Sequence, residues 1–136
     1  MSTDRKMLQE YIGAPIETIL NDEPFKNYKF KKSVSRDLPK HLYFYVCEKH
    51  GFEFQCEEEK IITTIFVSKK INLSDRLEVG IGWNSHEVQN RLGVPTKSGK
   101  SWDRFDLTNY SLHVSYGQDN LVEMITLMSH DVVPKD

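Results

Sequence analysis

At 136 residues, with 38% apolar and 28% charged side chains, the chain fits a single domain with a core of its own. A net charge of −2 singles out neither nucleic acid nor a membrane as partner, and no apolar run approaches the roughly 20 residues of a membrane span. The opening residues Met1 to Lys6 lead into no apolar stretch, so no secretion signal is expected and the expected location is cytoplasmic.

Residues 1–136 are read as one domain, its first half about 4–70 and its second about 78–130. From Asp4 onward, Met7, Leu8, Tyr11 and Ile12 fall at helical spacing, and Gly13 with Pro15 is expected to stop that helix. A further helical turn through Ile16, Ile19 and Leu20 runs into the breaker Asn21-Asp22-Glu23-Pro24. Residues 25–40 are basic and irregular, with Tyr28-Lys29-Phe30 as a candidate edge strand. Aromatics among lysines there form a weak nucleic-acid signature, outweighed by a solvated edge.

Alternation then marks strands at His41–Cys47, Phe52–Cys56 and Ile61–Val67, joined by Glu48-Lys49-His50-Gly51 and Glu57-Glu58-Glu59-Lys60. In the first hairpin Cys47 faces Phe52 and Cys56 faces Tyr43, which puts the thiols about 13 Å apart, beyond disulfide range. Both are expected to be reduced core thiols. The third strand is apolar on both sides, which predicts cover on both faces. In the second half, Gly80-Ile81-Gly82-Trp83 precedes Ser85, the expected N-cap of a helix His86–Leu92 that Gly93 and Pro95 close. Lys97–Lys100 reads as a loop. Strands follow at Trp102–Leu107, Leu112–Tyr116 and Leu121–Met128, with Gly117-Gln118-Asp119-Asn120 as a turn.

The burial pattern of residues 43–68 recurs at 103–128 with a constant offset of 60: Tyr45 with Phe105, Phe54 with Val114, Ile65 with Ile125, Val67 with Leu127. Taking Gly13/Pro15 and Gly93/Pro95 as equivalent helix ends gives an offset of 80 there, hence about twenty extra residues in the first half. The expected fold is α+β: two pseudo-repeated units, each a helix plus a three-stranded antiparallel meander. Glu123 falls on the inward register of its strand and is expected at a rim, where its carboxylate reaches water.

Chemistry is sparse. His41, His50, His86, His113 and His130 are scattered without metal-ligand spacing, so no metal or cofactor is expected. A hydrolase triad can be written from Ser101, Asp103 and His113, but no nucleophile elbow accompanies it. Gly80-Ile81-Gly82 lacks the third glycine and the preceding strand of a dinucleotide loop. No catalytic residue is assigned and an enzyme is not expected. Trp83 and Trp102 are candidates for something beyond packing, because tryptophan is enriched at interface hot spots.

Several stretches carry a resemblance. Tyr11-Ile12-Gly13-Ala14-Pro15, Gly51-Phe52-Glu53-Phe54 and Ile61-Ile62-Thr63-Thr64-Ile65-Phe66 belong to it in the first half. Leu92-Gly93-Val94-Pro95 before Lys97-Ser98-Gly99, Trp102-Asp103-Arg104-Phe105-Asp106 and Leu121-Val122-Glu123-Met124-Ile125-Thr126-Leu127 belong to it in the second. Together these are similar to bacterial immunity proteins of polymorphic or contact-dependent toxin systems, with pyocin-type immunity proteins looser in layout. The resemblance implies a toxin inhibitor that works by protein–protein interaction, occluding the active site of a cognate toxin. Such an inhibitor needs a rigid surface, fast association and slow release. Toxins with nuclease activity are usually basic, so an acidic, aromatic-bearing face is expected. Its candidates are Glu57, Glu58 and Glu59 on the first hairpin, Asp103, Asp106 and Asp119 in the second half, and Trp83 and Trp102. They are chosen on charge and exposure, not carried over from the family. The alternative is a non-enzymatic envelope or assembly adaptor, since the Gly-x-Pro stop also resembles small outer-membrane assembly lipoproteins; their lipobox cysteine and signal are missing here.

Overall fold

The computed structural model describes residues 7–23, 25–36, 41–57, 60–68 and 76–133. It is an α+β fold built on an open, eight-stranded antiparallel sheet. The strands are β1 (Lys31–Ser35), β2 (Leu42–Cys47), β3 (Phe52–Cys56), β4 (Ile62–Val67), β5 (Lys97–Ser98), β6 (Trp102–Asp106), β7 (Ser111–Tyr116) and β8 (Val122–Met128). Their spatial order is β1-β2-β3-β4-β8-β7-β6-β5, so the two halves meet at β4 and β8 and the edge strands lie farthest apart. Two helices, α1 (Ile16–Leu20) and α2 (Ser85–Leu92), accompany it, with 3-10 turns at Leu8–Tyr11 and Phe25–Asn27.

Registers on the two sides agree at the offset of 60. Phe52 pairs with Val67 and Phe54 with Ile65; Leu112 pairs with Leu127 and Val114 with Ile125. Each ladder carries a bulge at the same place, Gln55/Cys56 in one and Ser115/Tyr116 in the other. At the junction Phe66 pairs with Thr126, itself 60 positions later, with Ile65–Leu127 and Val67–Ile125 on either side. The first hairpins differ: Cys47 pairs with Phe52, whereas Phe105 pairs with Leu112 and Leu107 N–H donates to Tyr110 O across a two-residue turn. Each half also has a fourth strand at its outer edge. In the first half this is β1 rather than Tyr28–Phe30, and in the second β5 occupies the expected loop.

The helical parts correspond differently from expectation. Gly13 N–H donates to Ile62 O and Ile62 N–H to Ala14 O; Gly82 N–H donates to Val122 O and Val122 N–H to Trp83 O. So Gly13-Ala14-Pro15 matches Gly82-Trp83-Asn84 at an offset of 69, and Ile19 matches Val88, both fully buried. The Gly-x-Pro motif therefore does both jobs: the 3-10 turn Leu8–Tyr11 ends just before Gly13, as expected, and Pro15 leads into α1. Proline suits that place, because it needs no N–H partner there and its fixed φ is compatible with a helix start. Both glycines have φ near 91°, where a Cβ is strained. Gly93 ends α2 but is not the equivalent of Gly13, and the first half carries nine extra residues rather than twenty. Asn84, not Ser85, caps α2: its Oδ1 accepts from Glu87 N–H at 2.8 Å while Glu87 returns a bond at 2.9 Å.

Part of the extra stretch is core. Phe25 is 1% exposed and packs edge-on against Tyr11, Phe52 and Phe54. Tyr28 stacks on His50 at 3.8 Å and Phe30 packs on Phe54. The aromatics that suggested a nucleic-acid patch are thus internal or tethered. Both cysteines are free and buried, with the predicted pairing Tyr43–Cys56 and Cys47–Phe52.

Candidate partner-binding face

Strand alternation separates two faces. One carries Tyr45, Cys47, Phe52, Phe54, Ile65, Val67, Phe105, Leu112, Val114, Tyr116, Ile125 and Leu127, all at most 7% exposed and packed with the helices into one core. The other carries Leu42, Phe44, Val46, Phe66, Met124, Met128 and Trp102, partly buried by strand neighbours yet outside that core. The expectation that β4 is covered on both sides is met only in part: on its outer face Thr64 is buried, whereas Phe66 is partly exposed and outside the core. Among the described residues, the outer face of the sheet is thus the more open of the two.

A single rung of paired residues crosses this open face: Lys31, Val46, Glu53, Phe66, Thr126, His113, Arg104 and Lys97. In the half built from β6 and β7, Trp102 stacks on His113 with ring centroids 5.2 Å apart. Arg104 Nε lies 3.2 Å from Asp106 Oδ1, which also accepts from Ser111 Oγ at 2.8 Å. Burial, and then the Arg104 charge, hold His113 below its ordinary pKa, with Asp103 opposing. In the half built from β2, β3 and β4, a pocket of about 450 Å³ opens between the first hairpin and Met124 of β8.

The candidate residues do not gather into an acidic patch. Trp102 and Asp106 lie on the open face. Trp83 is on the helical side, packed against the core, with its indole over Gly80. Asp103 is a correction: it is 6% exposed and points into the covered side. Its carboxylate accepts from Ser98 Oγ at 2.6 Å, Tyr116 Oη at 2.8 Å and Gln89 Nε2 at 3.4 Å, so it is a packing hub. Burial, and then the bond to Asp103 and its charge, raise the Tyr116 pKa. Asp119 is exposed in the β7–β8 turn at φ 66°. Glu57 sits in the β3–β4 turn, and because β4 and β8 are antiparallel the two turns lie at opposite ends of the sheet. Glu58 and Glu59 lie outside the described residues. With Lys31, Lys97 and Arg104 against Glu53 and Asp106, the open face is not acidic.

The Ser101–Asp103–His113 set is split by the sheet, Asp103 facing the core and His113 the open side. Among the described residues no group of three or more His, Cys, Asp or Glu side chains is placed to hold a metal ion, and no helix is long and apolar enough to cross a membrane. Glu123 is exposed: it is the extra residue of the β8 bulge, which turns Val122 inward and Glu123 out. What reading the sequence missed is that apolar outward positions on several strands share one face; Phe44, Val46, Phe66 and Met124 were its signal.

No family model matches the chain, and no curated protein matches it. Among solved structures, the crystal structure of YjgB, a DUF4309 family protein from Bacillus subtilis subsp. subtilis str. 168, is similar at 14% identity and a TM-score of 0.43. The likeness covers 76% of this chain and 66% of that one, so the chain spans slightly less than two thirds of that protein's length.

Proposed function

We propose that this chain is a non-catalytic binding protein that lays the open face of its sheet against a partner protein, and that the partner is a bacterial toxin domain which it neutralises in the cytoplasm as an immunity protein does. The two halves are, on this reading, pseudo-repeats of one unit, a helix with its strands, fused edge to edge so that one unbroken face results. The observation that carries the reading is the row of apolar side chains on β2, β4, β6 and β8 that the core does not use. Eight strands span about 34 Å and five residues run about 17 Å, roughly 600 Å² before side-chain relief. A standard interface buries about 800 Å² per partner, so this face with its rim suffices. Because the face is not acidic, apolar burial rather than charge would dominate affinity, and its charge does not single out a basic nuclease as target. The resemblance to immunity proteins supplies the class of partner.

Growth rescue tests this. On this proposal a toxin-like reading frame is expected beside this gene, and cells expressing it should survive when the chain is co-expressed. Survival should fall when Phe44→Glu and Trp102→Ala are combined, with the circular-dichroism spectrum and melting transition retained. Failure of the native chain to rescue, or full rescue by the folded double variant, would contradict the proposal.

A further inference from the structure

The pocket on the open face has a chemistry of its own. Val46, Phe66 and Met124 form its apolar walls, Ser68 and Glu48 lie at the hairpin end, where Ser68 N–H donates to Gly51 O, and Glu53 lies at the inner end, between Val46 and Phe66. Register places Glu53 directly between Val46 and Phe66 on the central rung, where neighbouring Cβ atoms are about 5 Å apart. The nearest cation on that rung, Lys31, is two strands away, about 10 Å. Among the described residues no hydrogen bond or ion pair reaches the Glu53 carboxylate, although it is partly buried between two apolar neighbours. The matching place in the other half holds His113, which is engaged by Trp102. A carboxylate held in that setting loses solvation without a compensating donor.

We infer that this pocket receives an arginine side chain of the bound partner; the inference rests on the reading of the open face as the binding surface. Arginine fits on three counts. Its methylene stem covers Val46 and Met124, as long cationic side chains commonly lie along apolar surface. Its planar guanidinium can rest on the Phe66 ring. Its fork of N–H donors meets both oxygens of Glu53, a geometry that the compact ammonium of lysine does not reproduce. The volume of about 450 Å³ leaves room for the flanking backbone and bridging waters.

The test needs no partner, so its failure leaves the rescue experiment untouched and the two readings fall separately. The isotopically labelled protein is titrated with N-acetylarginine methylamide, and with its lysine and norleucine analogues, while amide and methyl resonances are followed. The arginine probe should give saturable shifts confined to Val46, Glu53, Phe66, Met124 and their neighbours, at least threefold tighter than either analogue. Glu53→Gln, which keeps shape and removes charge, should weaken the arginine response at least threefold and leave the norleucine response unchanged. Absence of a saturable response by about 50 mM, well above the millimolar range of weak ligands, overturns the inference. Equal binding of the three probes, or an undiminished response in Glu53→Gln, overturns it too.

Discussion

Replacing Asp103 with alanine separates a structural carboxylate from a binding one. Asp103 accepts two short hydrogen bonds, from Ser98 Oγ and Tyr116 Oη, and a long one from the exposed Gln89. Hydrogen bonds to a charged group contribute about 1.5–3 kcal/mol each. The long bond to a solvated amide adds little, so the two short ones set the scale at about 3–6 kcal/mol. Removing the carboxylate also recovers part of its own desolvation cost, and Tyr116, 7% exposed, keeps an unpaired hydroxyl. The net expectation is a loss of about 3 kcal/mol. Tyr116→Phe should cost about 1.5 kcal/mol, and the double variant should fall short of the sum by at least about 1 kcal/mol, because both single changes break one bond. Urea unfolding followed by circular dichroism at neutral pH measures all three. A loss below about 1 kcal/mol for Asp103→Ala, or strict additivity, would refute the hub.

Three other outcomes follow from the same coordinates. His113 has a folded pKa below its ordinary 6.5, so protons bind the unfolded chain more readily. Its contribution to stability is lost as the pH falls through 6.5 toward the folded value, and His113→Gln should reduce the difference between urea midpoints at about pH 7.5 and pH 5. Cys56 is fully buried and its thiol is pushed up to about 12, so iodoacetamide at mildly alkaline pH should modify it only in denaturant; labelling of the native protein would contradict that packing. Gly82→Ala puts a Cβ into open space at φ 92°, so its cost is purely conformational, about 1–2 kcal/mol, and Gly13→Ala should match it; thermal melts compare them, and a neutral or stabilising effect would overturn the lead-in argument.

Much of the sheet was legible because its inner face alternates cleanly. Tyr45, Cys47, Phe52 and Phe54 set the first hairpin's register, down to Cys47 opposite Phe52, and the offset of 60 carried the inward facing, though not the pairing, across to Phe105 and Val114. Three features escaped. Strand β1, Lys31–Ser35, has a single apolar residue, so an edge held by backbone bonds leaves no alternating signal. The bulges at Thr63 and Glu123 add one residue and reverse the facing of what precedes them, which is why strict alternation puts Glu123 inward. Gly13 with Pro15 resembles Gly93 with Pro95 because glycine and proline punctuate both ends of helices, and only the bonds to Ile62 show that Gly13 corresponds to Gly82 instead. The candidate face was the least legible part. Charge and tryptophan drew attention to Asp103 and Trp83, whose side chains turn into the fold, whereas the exposed apolar row is spread over four strands far apart in sequence.

Hydroxyl-radical footprinting of the chain, free and bound to the toxin domain it rescues cells from, tests the central claim most directly. Binding through the open face protects Phe44, Phe66, Met124, Met128 and Trp102 in the complex, with Trp83 and Tyr28 oxidised at unchanged rates. Protection of Trp83 and Tyr28, with the open-face residues oxidised as in the free protein, would contradict it.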